Sequence, residues 1–235
     1  MRHQTTVPYT ENDMAEYKVA EKFISINGEG RLAGQLAVFV RFQGCNLNCS
    51  YCDTTWANQK NAPYELMTEK DIHSYISSTD VKNVTLTGGE PLIQPEIKLL
   101  LAELASDENL HIEIETNGSV SIADLADIHN RPSFTLDYKT AGSGMEKFML
   151  TENYDIIDGR DTVKFVVSSE DDLKKAKEII EKYKLAEKCP VYFSPVFGRI
   201  EPSEIVDFMI KNKMNGINMQ LQLHKFIWDP DKRGV

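Results

Sequence analysis

The chain has 235 residues, 41% hydrophobic and 26% charged, the profile of one water-soluble domain with a sizeable core. Its net charge of −10 argues against a nucleic-acid backbone as main ligand, because such binders need a surplus of Lys and Arg. No apolar run approaches the roughly 18 residues of a membrane span, and the first residues lack a signal peptide's apolar core, so a cytoplasmic protein acting on a small molecule is expected.

Residues 1–20 are polar and read as an N-terminal arm, and residues 21–235 as a single domain. AVFVRF (37–42) has the β-branched and aromatic content of a buried strand. TEKDIHSYISS (68–78) opens with Thr68 as N-cap and continues at helical spacing. NVTLTGG (83–89) reads as strand then glycine turn, PEIKLLLAELAS (95–106) as helix, and HIEIET (111–116) as an alternating strand. Helix is expected over 122–129, 170–184 and 203–213, and strand over 134–139, 162–168, 191–196 and 216–223. Strand alternating with helix implies right-handed crossovers and a mostly parallel sheet. About six such strands are too few for a closed eight-fold barrel. An α/β fold, a partial, modified (β/α) barrel, is expected, with its site at the C-terminal ends of the strands.

GCNLNCSYCDT carries Cys45, Cys49 and Cys52 in a C-x₃-C-x₂-C spacing. Clustered thiols in a cytosolic chain read as metal ligands rather than disulfides. A [4Fe–4S] cluster normally takes four thiolates, so three leave one iron open. The amino and carboxylate groups of S-adenosylmethionine (SAM) can chelate that iron, and an electron from the cluster can then break a carbon–sulfur bond to give a 5′-deoxyadenosyl radical. Tyr51 is placed to pack on the adenine. A zinc knuckle would need a second ligand pair, which the sequence lacks. Cys189 reads as an idle, buried thiol. TGGEP (87–91) ends a strand with Gly88 and Gly89, which let backbone approach a ligand, and with Glu90, which can accept from the SAM ammonium. As a plain turn, Glu90 would instead serve a helix N-terminus.

These two motifs resemble the radical SAM superfamily. SINGEG (25–30), FVRFQGCNLNCSYCDT (39–54), LTGGEP (86–91), ETNGS (115–119) and QLHK (222–225) together resemble the 7-carboxy-7-deazaguanine synthase family. The resemblance implies conversion of 6-carboxy-tetrahydropterin to a deazapurine with loss of ammonia, on the route to queuosine. It also implies a need for Mg²⁺, a reductant such as flavodoxin or ferredoxin, and a homodimer.

Carried over from that family, Ile26, Asn27, Gly28 and Glu29 line the pterin pocket, and Arg41 meets the substrate carboxylate, as a planar guanidinium can. Thr54 matches the magnesium ligand, an oxygen donor as that hard ion prefers; as a bland alternative it caps a helix. Thr87 and His224 face substrate. Gly89, Glu115, Asn117, Asp137, Tyr138 and Lys139 fall where the family contacts SAM, and Lys164 is carried over more weakly. The chain departs from the family in having Asn27 where Gln is usual and in running on past His224 as KFIWDPDKRGV, a C-terminal extension. Two rivals remain open: an activase for a glycyl-radical enzyme, which shares the cysteine spacing, and a non-catalytic iron–sulfur electron carrier.

Overall fold

The computed structural model describes residues 15–235. Residues 1–14, most of the expected arm, lie outside the described residues. Residues 16–20 belong instead to β1 (Glu16–Ile26), which forms an antiparallel hairpin with β2 (Leu36–Phe42). A register shift lies between Val19 and Glu21, and there the clear alternation of buried Tyr17 and Val19 gives way to four half-buried residues, 20–23. A period-two pattern cannot be followed across such a bulge, which is why the segment reads as an arm.

β3 (Glu65–Thr68) pairs with the outer edge of β1. On the other side of β2 a parallel run begins: β4 (Asn83–Gly88), β5 (His111–Thr116), β6 (Ser133–Tyr138), β7 (Thr162–Val167), β8 (Val191–Pro195) and β9 (Ile217–Met219). The order β3-β1-β2-β4-β5-β6-β7-β8-β9 makes one open nine-stranded sheet. The partial, unclosed barrel is as expected, with more strands than the sequence suggests. The helices are α1 (Thr55–Asn58), α2 (Glu69–Ser78), α3 (Ile97–Ala105), α4 (Glu170–Tyr183), α5 (Leu185–Lys188), α6 (Pro202–Lys211) and α7 (His224–Ile227). None among the described residues is long and apolar enough to cross a membrane.

Thr68 caps α2 as expected. Its Oγ1 accepts from Asp71 N at 3.2 Å, and Asp71 Oδ2 accepts from Thr68 N at 2.9 Å. The expected helix over 122–129 is reduced to a single 3₁₀ turn, Ala123–Leu125. Asn153 ties down the chain at its start: its Oδ1 takes the Ile122 amide at 3.1 Å and its Nδ2 donates to Val120 O at 2.9 Å. The last expected strand keeps only Ile217–Met219. Beyond it, Gln220 and Gln222 turn their side chains to Glu29.

Alternation along the parallel strands sorts their side chains. Leu86, Ile114, Leu136, Phe165 and Phe193 pack with helix residues such as Leu101 and Ala176 in one core. The intervening Thr87, Glu115, Asp137, Lys164 and Ser194 line the opposite, polar face.

At the N-terminal edge, Asp161 is wholly buried and takes both Arg131 terminal nitrogens, at 3.0 and 2.7 Å. It also accepts from the Phe134 and Asp158 amides, each at 2.9 Å. Breaking such a pair leaves a buried charge without compensation. Arg131→Met is therefore expected to destabilise the chain by about 3–5 kcal/mol in urea unfolding; a loss below about 1 kcal/mol, the scale of an exposed pair, would contradict this role.

Candidate active site

The cysteine loop leaves β2 at the C-terminal edge of the sheet. Cys45, Cys49 and Cys52 are each partly buried, and donors face two of the three sulfurs. Cys45 Sγ accepts from Leu47 N at 3.4 Å and from Asn117 Nδ2 at 3.6 Å. Cys52 Sγ accepts from Asn58 Nδ2 at 3.6 Å and lies 3.6 Å from Thr54 Oγ1. Burial raises the Cys45 and Cys49 thiols above their ordinary range, with Lys139 the main opposing charge at Cys49. Among the described residues, no three His, Cys, Asp or Glu side chains are grouped to hold a single metal ion. Cys189 is buried immediately before β8, at the N-terminal edge, and so lies at the opposite end of the strands from the loop. The donor set fits an iron–sulfur cluster that would take Cys45, Cys49 and Cys52 as its ligands, with Cys189 out of reach.

The glycines of TGGE serve a tighter purpose than room for a ligand. A Cβ on Gly88, whose φ is +146°, would lie 2.5 Å from Phe42 N and O. One on Gly89 would lie 1.8 Å from Gly44 O and 2.5 Å from Asn58 Oδ1. The turn is laced to the cysteine loop by Gly89 N→Phe42 O at 3.0 Å and Glu90 N→Gly44 O at 2.9 Å. Close backbone contact here admits only glycine.

Glu90 departs from its expected role. It is fully buried, and its carboxylate accepts from Leu92 N at 3.0 Å, Thr116 Oγ1 at 2.8 Å and Asn117 N at 2.6 Å. Both oxygens are engaged within the fold, so Glu90 is a brace that sets the end of β5, close to the bland reading of an acid at a turn's N-terminus. Burial pushes its carboxyl up to about 7.

On the polar face, Lys164 joins the two ends of the site. Its Nζ is 3.3 Å from Glu29 Oε2 and 3.5 Å from Asp137 Oδ1, and Asp137 Oδ2 accepts from Lys139 Nζ at 2.5 Å. Glu29 also accepts from Ser194 Oγ at 2.5 Å, Gln220 Nε2 at 3.1 Å and Gln222 Nε2 at 3.3 Å. Burial alone would raise Glu29 and Asp137, yet the lysines hold both below the usual carboxylate range. Burial would lower Lys164, but Asp137 and Glu29 hold it well above its ordinary value. Ser194, Gln220 and Gln222 escape sequence reasoning because they reach Glu29 across 165 or more residues.

The N-terminal loop closes over this network. Asn27 is buried, accepts from Thr85 Oγ1 at 2.9 Å, and has an Nδ2 without a partner. Gly28 lies under His224, whose Nδ1 a Cβ would meet at 2.3 Å, and Gly28 O accepts from Leu223 N at 3.0 Å. Burial lowers His224 below its usual range, which favours a neutral ring. Thr87 Oγ1 donates to Glu115 Oε2 at 3.0 Å. Ile26, half-buried, pairs with Leu36 at the hairpin's end.

Three expected residues behave differently from a simple ligand. Arg41 Nε donates to Glu21 Oε1 at 2.7 Å, which fixes one edge of its guanidinium. Tyr51 donates its hydroxyl to Val166 O at 3.2 Å and has its ring 6.0 Å from the Arg199 guanidinium. Tyr138 lies away from the site: alternation turns it to the core, its ring 5.5 Å from Phe165 and its hydroxyl donating to Glu146 at 3.0 Å. Thr54 occupies the N-cap position of α1 yet makes no capping bond, so its hydroxyl is not spent on the helix.

Glu113, one pleat below Glu115, is a site-face residue the sequence reading passed over. Burial and the neighbouring Glu115 push its carboxyl up to about 7, and it accepts from Thr135 Oγ1 at 2.6 Å. The folded chain holds this proton more tightly than the unfolded one. That advantage is complete below the ordinary value of 4.5 and lost once pH passes about 7. Glu113→Gln is expected to flatten the fall in unfolding free energy between about pH 5 and pH 8 by roughly 3 kcal/mol. An unchanged slope in urea titrations would refute the assignment.

Residues 39–141 match the Radical SAM superfamily. The fold is similar to that of QueE from Escherichia coli, with a TM-score of 0.68 at 19% identity over 88% of this chain and 93% of that one. It is also similar to that of Streptococcus suis SuiB bound to S-adenosylmethionine, with a TM-score of 0.54 at 13% identity over 76% of this chain and 44% of that one. Fold, cysteine loop and sequence match define a radical SAM protein. The chain is 60% identical to the 7-carboxy-7-deazaguanine synthase of Clostridium acetobutylicum, over 93% of its own length and 99% of that protein. It is 37% identical to that of Chlorobaculum tepidum, over 94% and 98%. It belongs to the 7-carboxy-7-deazaguanine synthase family.

Proposed function

We propose that this chain converts 6-carboxy-tetrahydropterin to 7-carboxy-7-deazaguanine with release of ammonia, supplying a 7-deazapurine for queuosine formation and so for tRNA modification. The observation that carries the chemistry is the set of three thiols at one edge of the sheet, with Cys189 at the other. The relatives' shared name supplies the substrate. When bound, the cluster and SAM furnish a carbon-centred radical able to take hydrogen from the substrate.

The chain's own residues supply position. Cys45, Cys49 and Cys52 hold the cluster. Lys139, Asp137 and Tyr51 gather at the cysteine side, where SAM would lie, with Gly88, Gly89 and Asn117 forming the facing wall. Glu115 joins this wall to Thr87 on the substrate side. Arg41, fixed along one edge by Glu21, offers its other edge to the substrate carboxylate. Asn27 offers its unpaired Nδ2 to a substrate acceptor, and His224 stands over Gly28 at the pocket's mouth. Thr54, free of capping duty, would offer its hydroxyl to Mg²⁺, a hard cation that would offset negative charge on the substrate. A low-potential carrier such as flavodoxin or ferredoxin would deliver the electron, and the working unit would be a cytoplasmic homodimer.

The network Glu29–Lys164–Asp137 runs from the substrate loop to the SAM side, so the two molecules would be held in one frame. Such placement contributes much of the rate. Among the described residues no feature favours an activase, whose protein substrate would need an open mouth; the 27–30 loop and the 220–224 segment, hydrogen-bonded to each other, lie across this one.

Anaerobic incubation with 6-carboxy-tetrahydropterin, SAM, Mg²⁺ and dithionite is expected to give the deazapurine and ammonia, and failure to form it would remove the assignment. Arg41→Lys is expected to raise KM for the pterin about tenfold with little change in kcat, the loss of one bidentate contact at about 1.4 kcal/mol. An unaltered KM would take Arg41 out of the pocket.

A further inference from the structure

α1 is four residues long and has one buried residue, Ala57, too little to justify a helix by packing. What it does is place Asn58, its last residue, against the cysteine loop. Gly44 N donates to Ala57 O at 3.1 Å, so the helix is pinned to the loop it follows. Asn58 Nδ2 then donates to Cys52 Sγ at 3.6 Å.

The amide's orientation is fixed by chemistry. Asn58 Oδ1 is buried without a hydrogen-bond partner and lies against Gly89. Reversing the amide would set that oxygen against sulfur, acceptor against acceptor. The fold thus leaves an acceptor unsatisfied in order to aim a donor at Cys52. On the far side of the loop, Asn117 Nδ2 also donates to a sulfur, Cys45 Sγ, at 3.6 Å, its own Oδ1 being satisfied by Ser119. Among the described residues, Cys49 receives no such donor.

We infer that Asn58 is a positioning residue that sets the reduction potential of the cluster through its N–H···S bond to Cys52. Sulfur carries more negative charge in the reduced cluster, so a donor stabilises that form more than the oxidised one. Each donor makes the cluster easier to reduce, and the electron must enter the cluster before any SAM is cleaved. The inference rests on the cluster assignment above. It goes beyond it by giving a thermodynamic role to a residue that touches neither SAM nor pterin.

The test is a redox titration of the reconstituted full chain, followed by electron paramagnetic resonance of the reduced cluster, without pterin. Asn58→Leu, loaded with its full iron and sulfide, is expected to show a more negative midpoint. At a fixed solution potential, its ratio of reduced to oxidised cluster should fall about tenfold, equivalent to about 59 mV for one electron. Asn58→Gln, which keeps the donor on a longer arm, is expected to recover part of the shift. An unchanged midpoint in Asn58→Leu overturns the inference, since a purely structural residue would alter loading or melting and leave the potential alone. Should Asn58→Leu fail to load, Asn58→Ala, which removes the donor without adding charge or bulk, is titrated in its place under the same two outcomes. If the unaltered chain takes up no iron, the cluster assignment itself falls, a result plainly distinct from an unmoved potential.

Discussion

Everything at the active edge hangs on a backbone contact that no side chain could survive. Gly88 and Gly89 press against Phe42 and Gly44, and two backbone hydrogen bonds, from Gly89 N to Phe42 O and from Glu90 N to Gly44 O, lace the turn to the cysteine loop. A single methyl group at position 89 would fall 1.8 Å from a carbonyl oxygen. This contact fixes the cysteine loop relative to β4. Glu90, one residue on, fixes β5 through three hydrogen bonds. Loop, turn and strand end thereby become one rigid unit, and the sulfurs, Asn117 and the polar face inherit their positions from it.

The second organising force is charge held out of water. Glu29, Lys164, Asp137 and Lys139 form a chain of alternating sign across the polar face. Isolated, any one of them would be expensive to bury; together they compensate one another. The arrangement also explains why the C-terminal segment leaves the sheet after Met219. Gln220 and Gln222 complete the shell of Glu29, and the chain is then committed to cross over Gly28 and deliver His224.

Much of this was legible in the sequence where the signal is local. Alternation in HIEIET and TVKFVV gave the right strands, Thr68 the right cap, and C-x₃-C-x₂-C the thiol cluster. What escaped is what depends on distant partners. The register shift after Val19 obscures the start of β1, and the 122–129 segment, tied at its start to Asn153 31 residues on, keeps only one 3₁₀ turn. Glu90 read as a ligand because its three donors cannot be seen from TGGEP alone. Tyr138 read as a site residue because it lies between Asp137 and Lys139, which are paired on the polar face, although a pleated strand turns it the opposite way. Asn58 carries no motif at all; only the geometry of α1 singles it out.

The account's central claim is that the glycine contact positions SAM against a cluster with one open iron. It is tested most directly by Gly89→Ala, comparing SAM-induced changes in the cluster's electron paramagnetic resonance spectrum with those of the unaltered chain. The account predicts that the variant, forced to part the turn from the cysteine loop, still folds but loses the spectral response to SAM. A response of unaltered size and affinity, with the alanine in place, would contradict it.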